Sequence, residues 1–110
     1  TKVAAVVDVE EAGIPLEFAL HQNYPNPFNP ATEITFSLSA KVRATLKIYD
    51  MLGREIATLL DDQKGPGKYT VKWDAGKNSS GVYFYRLIAG DASTGSARSF
   101  IQTRKLLLLK

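Results

Sequence analysis

The side chains that could carry chemistry are few. His21 is the single histidine and there is no cysteine, so no thiolate is present to act as a nucleophile, close a disulfide or hold zinc. A Ser–His–Asp arrangement is open by count, but no G-x-S-x-G turn precedes any serine. His21 is expected at the surface or packed against the prolines that follow it. Asp61 with Asp62, and Asp74 with Asn78, could offer oxygen ligands to calcium from loops. The D-x-[DN]-x-[DN]-G spacing is missing, and solvated acids are the expectation. Gly65-Pro66-Gly67 lacks the G-x-x-x-x-G-K-[ST] pattern and a following helix, so it reads as a hairpin tip rather than a phosphate cradle. Lys41, Arg43, Lys47 and Tyr49 mix base with aromatic, as a nucleic-acid face would. Yet the 14 basic residues are scattered among 11 acids for a net charge of +3, which points to a solvated sheet face. Tyr83, Phe84 and Tyr85 could form a sugar platform, but in so apolar a run they read as core. No catalytic, cofactor-binding or metal-binding residue is assigned, no cofactor is implied, and a non-enzyme is expected.

The elements that would position these groups are short and extended. Ile34, Phe36 and Leu38 alternate with polar neighbours, as in a half-buried strand, and Ser39 to Lys41 makes a turn. Val42, Ala44, Leu46 and Ile48 then face one way, with Lys41, Arg43, Thr45, Lys47 and Tyr49 on the other side. Asp50-Met51-Leu52-Gly53 is a turn, with Gly53 free to take a positive φ. Ile56, Leu59 and Leu60 do not share a parity, which a bulge or a short helix would reconcile. Asp61 to Lys68 is expected to be a loop. Tyr69, Val71 and Trp73 alternate again, and Asp74 to Ser80 is a second polar loop. Gly81 to Ala89 is apolar at nearly every position, as a central strand would be, with Tyr83, Tyr85 and Leu87 toward the core. Ser96 to Leu109 is long for one strand, so a bend near Gln102 to Arg104 is expected. Six or seven such strands without a helix predict an all-β fold, an Ig-like antiparallel β-sandwich of about seven strands.

Two stretches stand apart. Gln22 to Pro30 (QNYPNPFNP) holds three of the five prolines. Each proline fixes its own φ and pushes Tyr24, Asn26 or Asn29 out of the α region, so the stretch is neither helix nor central strand. It reads as a stiff lead-in pinned to a hydrophobic surface by Tyr24 and Phe28. At the other end, Arg104 to Lys110 is basic and strongly apolar. Unpaired at a terminus it would invite aggregation, so it must pair within the sheet or be held by a partner. Its apolar run, Leu106 to Leu109, is far short of the ~18 residues of a membrane helix. Residues 1–15 read as a linker or the tail of an upstream domain, with Val3 to Val9 a strand or part of that tail. The absence of an initiator Met suggests a piece of a longer protein.

These blocks, taken in order, resemble the type A C-terminal sorting domain of the type IX secretion system (the Por secretion system family). The resemblance is carried by Leu20, then Asn23, Tyr24, Pro25, Asn26, Pro27, Phe28, Asn29 and Pro30. It continues through Thr32 to Leu38 and Leu46 to Glu55 with Tyr49, Asp50 and Gly53. Gly67 and Trp73-Asp74 follow, then Ser80 to Gly90 with Gly81, Tyr83, Tyr85 and Gly90, and finally the basic-apolar end. The chain departs from the family's pattern at Ser39, where Pro is usual, in the short loop Ala75 to Ser79, and at Leu106, where Met is frequent. Ser99 to Thr103 is its loosest part.

The resemblance implies a non-catalytic signal domain, residues 16–110, at the end of a larger secreted protein of a Gram-negative bacterium. Such a protein crosses the inner membrane by a separate N-terminal signal. The domain is then recognised in the periplasm and directed through an outer-membrane translocon. It is commonly removed by a sortase-like peptidase at the cell surface, the cargo being linked to lipopolysaccharide or released. The cleavage region maps before Leu16. The sorting information maps to Ser99 through Lys110, with Arg104, Lys105, Leu106, Leu107, Leu108, Leu109 and Lys110 as candidates. The implied partners are the translocon, the peptidase and a covalently attached cargo, with no nucleic acid and no integral membrane segment. The alternative is an accessory Ig-like structural or carbohydrate-binding module of an extracellular enzyme. The Ig-like domain of the flagellar hook-capping protein shares parts of the pattern but not the proline-rich segment in this form.

Overall fold

The computed structural model describes residues 17–90 and 100–110. The expected linker and Val3 to Val9 lie outside the described residues. Seven strands account for the regular structure described: β1 (Ala19–Leu20), β2 (Ala31–Leu38), β3 (Val42–Tyr49), β4 (Glu55–Lys64), β5 (Gly67–Asp74), β6 (Gly81–Ala89) and β7 (Phe100–Leu108). They form two antiparallel sheets, β1-β2-β5 and β4-β3-β6-β7. In immunoglobulin terms the orders are ABE and C′CFG, an Ig-like sandwich in which the fourth strand joins the second sheet.

Period-two alternation sends one side of each strand into a single core. Ile34, Phe36 and Leu38 from β2 and Tyr69, Val71 and Trp73 from β5 meet Ala44, Leu46, Ile48, Tyr83, Tyr85, Leu87, Leu106 and Leu108 from the other sheet. Trp73 packs without a disulfide. Its ring lies 5.7 Å from Phe28 and 5.9 Å from Tyr83, the second contact edge-on. The Tyr83 hydroxyl donates to the Ser79 carbonyl at 2.6 Å, pinning the start of β6 to the preceding loop. This resembles the tyrosine corner of immunoglobulin folds.

Two expectations are corrected. Asp61 to Lys68 is not a loop: β4 continues to Lys64, and only Gly65-Pro66 separates it from β5. The polar side chains there are the solvent side of an edge strand, where charge protects against sheet-to-sheet pairing. The last strand does not break near Gln102, because β6 and β7 pair residue for residue from Ala89↔Phe100 to Gly81↔Leu108; Ser96 to Ser99 lie outside the described residues. The poor alternation after Glu55 is resolved by register shifts. Leu46 faces Leu60 while Lys47 faces Thr58, so Leu59 is the extra residue of a bulge.

Candidate functional site

β7 is the outermost strand of its sheet, so the backbone groups on its far side need partners from elsewhere. The proline-rich segment supplies them at the C-terminal end. The Phe28 amide donates to the Leu107 carbonyl at 3.0 Å, and the Leu109 amide donates to the Phe28 carbonyl at 3.0 Å. The Leu107 amide donates to Asn26 Oδ1 at 3.0 Å, and Gln22 Nε2 donates to the Lys105 carbonyl at 2.8 Å. Phe28 and Leu108 form a parallel bridge within this ladder.

The segment is itself fastened. Phe28 is buried against Trp73. Asn23 is buried, and its Nδ2 donates to the Pro25 carbonyl at 3.1 Å and to Thr32 Oγ1 at 2.9 Å. Thr32 Oγ1 also donates to the Pro25 carbonyl, and the Ala75 amide to the Pro30 carbonyl. Asn23 thus satisfies a carbonyl in a stretch whose prolines offer no N–H of their own. The expectation that Tyr24 pins the segment is corrected. The residue is 80% exposed, and its backbone exchanges two hydrogen bonds with Glu33. Asn23, one residue earlier, does the anchoring because its side chain is turned inward, where it bonds to the Pro25 carbonyl and Thr32, while the Tyr24 side chain is turned to solvent.

Further contacts close the tail. Arg104 Nε donates to the Leu20 carbonyl at 2.6 Å, the Lys110 amide to Ser80 Oγ at 2.9 Å, and Lys110 Nζ to the Gly76 carbonyl at 2.7 Å. Leu106 and Leu108 point into the core, Leu107 is half-buried, and Lys105, Leu109 and Lys110 are exposed. The tail therefore shows solvent one apolar and two basic side chains. Gln22, Asn26, Gly76 and Ser80 were not singled out as its holders. Their partners lie 83, 81, 34 and 30 residues away, beyond the reach of any local pattern.

The other motif residues make contacts within turns and in the core. Asp50 Oδ1 accepts from the Leu52 and Arg54 amides, each at 2.9 Å, and Oδ2 accepts from Arg54 Nε at 2.8 Å. The Arg54 backbone donor holds the Asp50 carboxyl below the ordinary carboxylate range; burial opposes it, and the Arg54 guanidinium and Leu52 amide add to the lowering. Gly53 completes this turn at φ +84°, where a side chain would be strained. The Tyr49 ring lies under the Arg86 guanidinium, 4.9 Å away. The Gly90 amide donates to the Arg43 carbonyl, and Gly81 opens β6 at φ +152°. Tyr85 is fully buried, and its hydroxyl donates to the His21 carbonyl at 2.6 Å. Burial pushes that phenol up to about 12.

The residues first considered for chemistry are dispersed. His21 is exposed; Asp61 lies on β4 and pairs with Arg43 at 2.9 Å; Asp74 Oδ1 accepts from the Gly76 amide. Among the described residues no group of three His, Cys, Asp or Glu side chains is placed to hold a metal ion, and no helix is long and apolar enough to cross a membrane.

A family model described as the secretion system C-terminal sorting domain matches residues 22–102, from the proline-rich segment into β7. The chain belongs to that family. The sorting domain is a signal for type IX secretion, and proteins that carry it are exported across the outer membrane to the cell surface or released. The fold is similar to a part of the crystal structure of dimeric latent PorU from Porphyromonas gingivalis, with a TM-score of 0.66 at 17% identity over 93% of this chain. The sorting domain spans 10% of that PorU chain. No curated protein matches it.

Proposed function

We propose that this sorting domain is a non-catalytic carrier that takes an attached upstream cargo through the type IX translocon. Residues 16–110 form the signal domain and residues 1–15 the linker to the cargo, where a sortase-like peptidase separates the two. The tail, Arg104 to Lys110, supplies the part of the signal that the export machinery reads. The family match carries the export role. The tail assignment is supported by its position on an edge strand, with Lys105, Leu109 and Lys110 reaching solvent from a firmly held backbone. Firm placement lowers the entropy lost on docking, which favours recognition.

The test is an export assay of a signal peptide, a fluorescent reporter and residues 1–110, in a host with a type IX system and in a translocon-deficient strain. Leu109→Asp is the main variant, because an exposed position spares the fold; Leu107→Asp and a chain ending at Thr103 accompany it. Reporter is expected outside the cell only for the unaltered domain with a working translocon. Export of a folded Leu109→Asp domain at the unaltered level would show that the signal lies elsewhere.

A further inference from the structure

We propose that the proline-rich segment is an intramolecular clasp on the last strand, and that the sorting partner reads the tail in its clasped, folded form. The partner then meets the side chains of Lys105, Leu109 and Lys110 rather than a bare strand edge. The second half rests on the tail being the signal; the first half stands without it.

Four observations converge. The outward backbone groups bonded by the segment belong to Lys105, Leu107 and Leu109, spaced by two as a ladder requires. An added strand would need those same groups, so augmentation at this edge would have to displace the segment first. Displacement is opposed at both ends, because it would bring buried Phe28 out from beside Trp73 and strip buried Asn23 of its partners. The segment's composition also ends the sheet. Pro25, Pro27 and Pro30 have no N–H to donate, so the clasp cannot template another strand in turn. An edge strand this apolar would otherwise be a site for self-pairing. Proline's fixed φ further means that little backbone freedom is lost when the clasp closes.

Two experiments on the full chain separate the halves. Asn26→Ala removes the acceptor of the Leu107 amide from an exposed site and leaves the core intact; Gln22→Ala does the same for the Lys105 carbonyl. Amide hydrogen exchange at Leu107 and Leu109 should rise about five- to tenfold in Asn26→Ala, while the Val71 and Leu46 amides keep their rates. Unchanged exchange at Leu107 would overturn the clasp.

For the second half, Asn26→Cys with Leu107→Cys places two thiols where the Asn26 side chain meets the Leu107 backbone, in a chain with no other cysteine, and leaves Lys105, Leu109 and Lys110 as they are. Export of the cross-linked domain should match that of the two single variants. Retention of the cross-linked form alone in the periplasm would show that the tail is read open and overturn this half. An unaltered domain that never leaves the cell would instead refute the export role on which this half rests, leaving the exchange result standing.

Discussion

Replacing Tyr85 by phenylalanine removes one oxygen from the centre of β6 and nothing else. The ring is fully buried and its hydroxyl is the donor to the His21 carbonyl at 2.6 Å, joining the sheet core to the start of the proline-rich segment. Without it that part-buried carbonyl loses its partner, which costs about 1–3 kcal/mol. At about 2 kcal/mol, a domain of this size loses roughly 8–16 °C in Tm, and its urea midpoint falls by about 1 M. The effect depends on pH in a defined direction. Burial raises the Tyr85 phenol from 10.0 to about 12, with smaller opposing effects from the Asn23 backbone and the Arg104 charge. A folded-state value above the unfolded one gives a contribution that is whole below pH 10 and is lost as pH climbs toward 12. That contribution amounts to at most about 2–3 kcal/mol. Phenylalanine does not titrate, so the stability gap between the two proteins should narrow through this window. Effects of Tyr69, also raised by burial, are common to both and cancel. Urea unfolding followed by the fluorescence of the single tryptophan, Trp73, at pH 7, 9.5 and 11.5 measures the gap. Equal midpoints at pH 7, or a gap that stays constant to pH 11.5, would refute the reasoning.

Within the tail, Leu106→Ala should destabilise by about 2–5 kcal/mol, because the side chain has no exposure. Leu109→Ala, half exposed, should stay under about 1 kcal/mol; urea midpoints of the two variants check the contrast. At the β3–β4 turn, Asp50 is held below its ordinary 3.8, chiefly by the Arg54 amide, so its contribution is whole above that pH and lost as pH falls through its folded value. The stability difference between the unaltered domain and Asp50→Asn should accordingly be constant from pH 7 to 5 and shrink below 3.8, as read by thermal unfolding across that range.

Much of the sandwich was legible along the chain. The alternation in Ile34–Leu38, Val42–Ile48 and Tyr69–Trp73 located three strands and their inward faces, because side-chain parity is a property of the covalent backbone and needs no distant partner. Gly81 to Ala89 showed its core side, Tyr83, Tyr85 and Leu87, by the interruption at Arg86. The irregular run after Glu55 signalled its bulge. Asp61 and Asp62 misled as loop residues, since acids on an exposed edge strand and acids in a turn have the same composition.

For the tail, residue types alone established that Arg104 to Lys110 needed a partner, and the ordered motif blocks established the family. They left open which segment would serve. The tertiary structure decided that: β7 lies at the edge of its sheet, and the topology brings Asn26 and Phe28 alongside Leu107 and Leu109. It also decided that Asn23, not Tyr24, anchors the segment. Local periodicity sets which way a side chain points. Which strand ends beside which segment depends on the closing of the whole sheet, and contacts across some 80 residues leave no local trace in the chain.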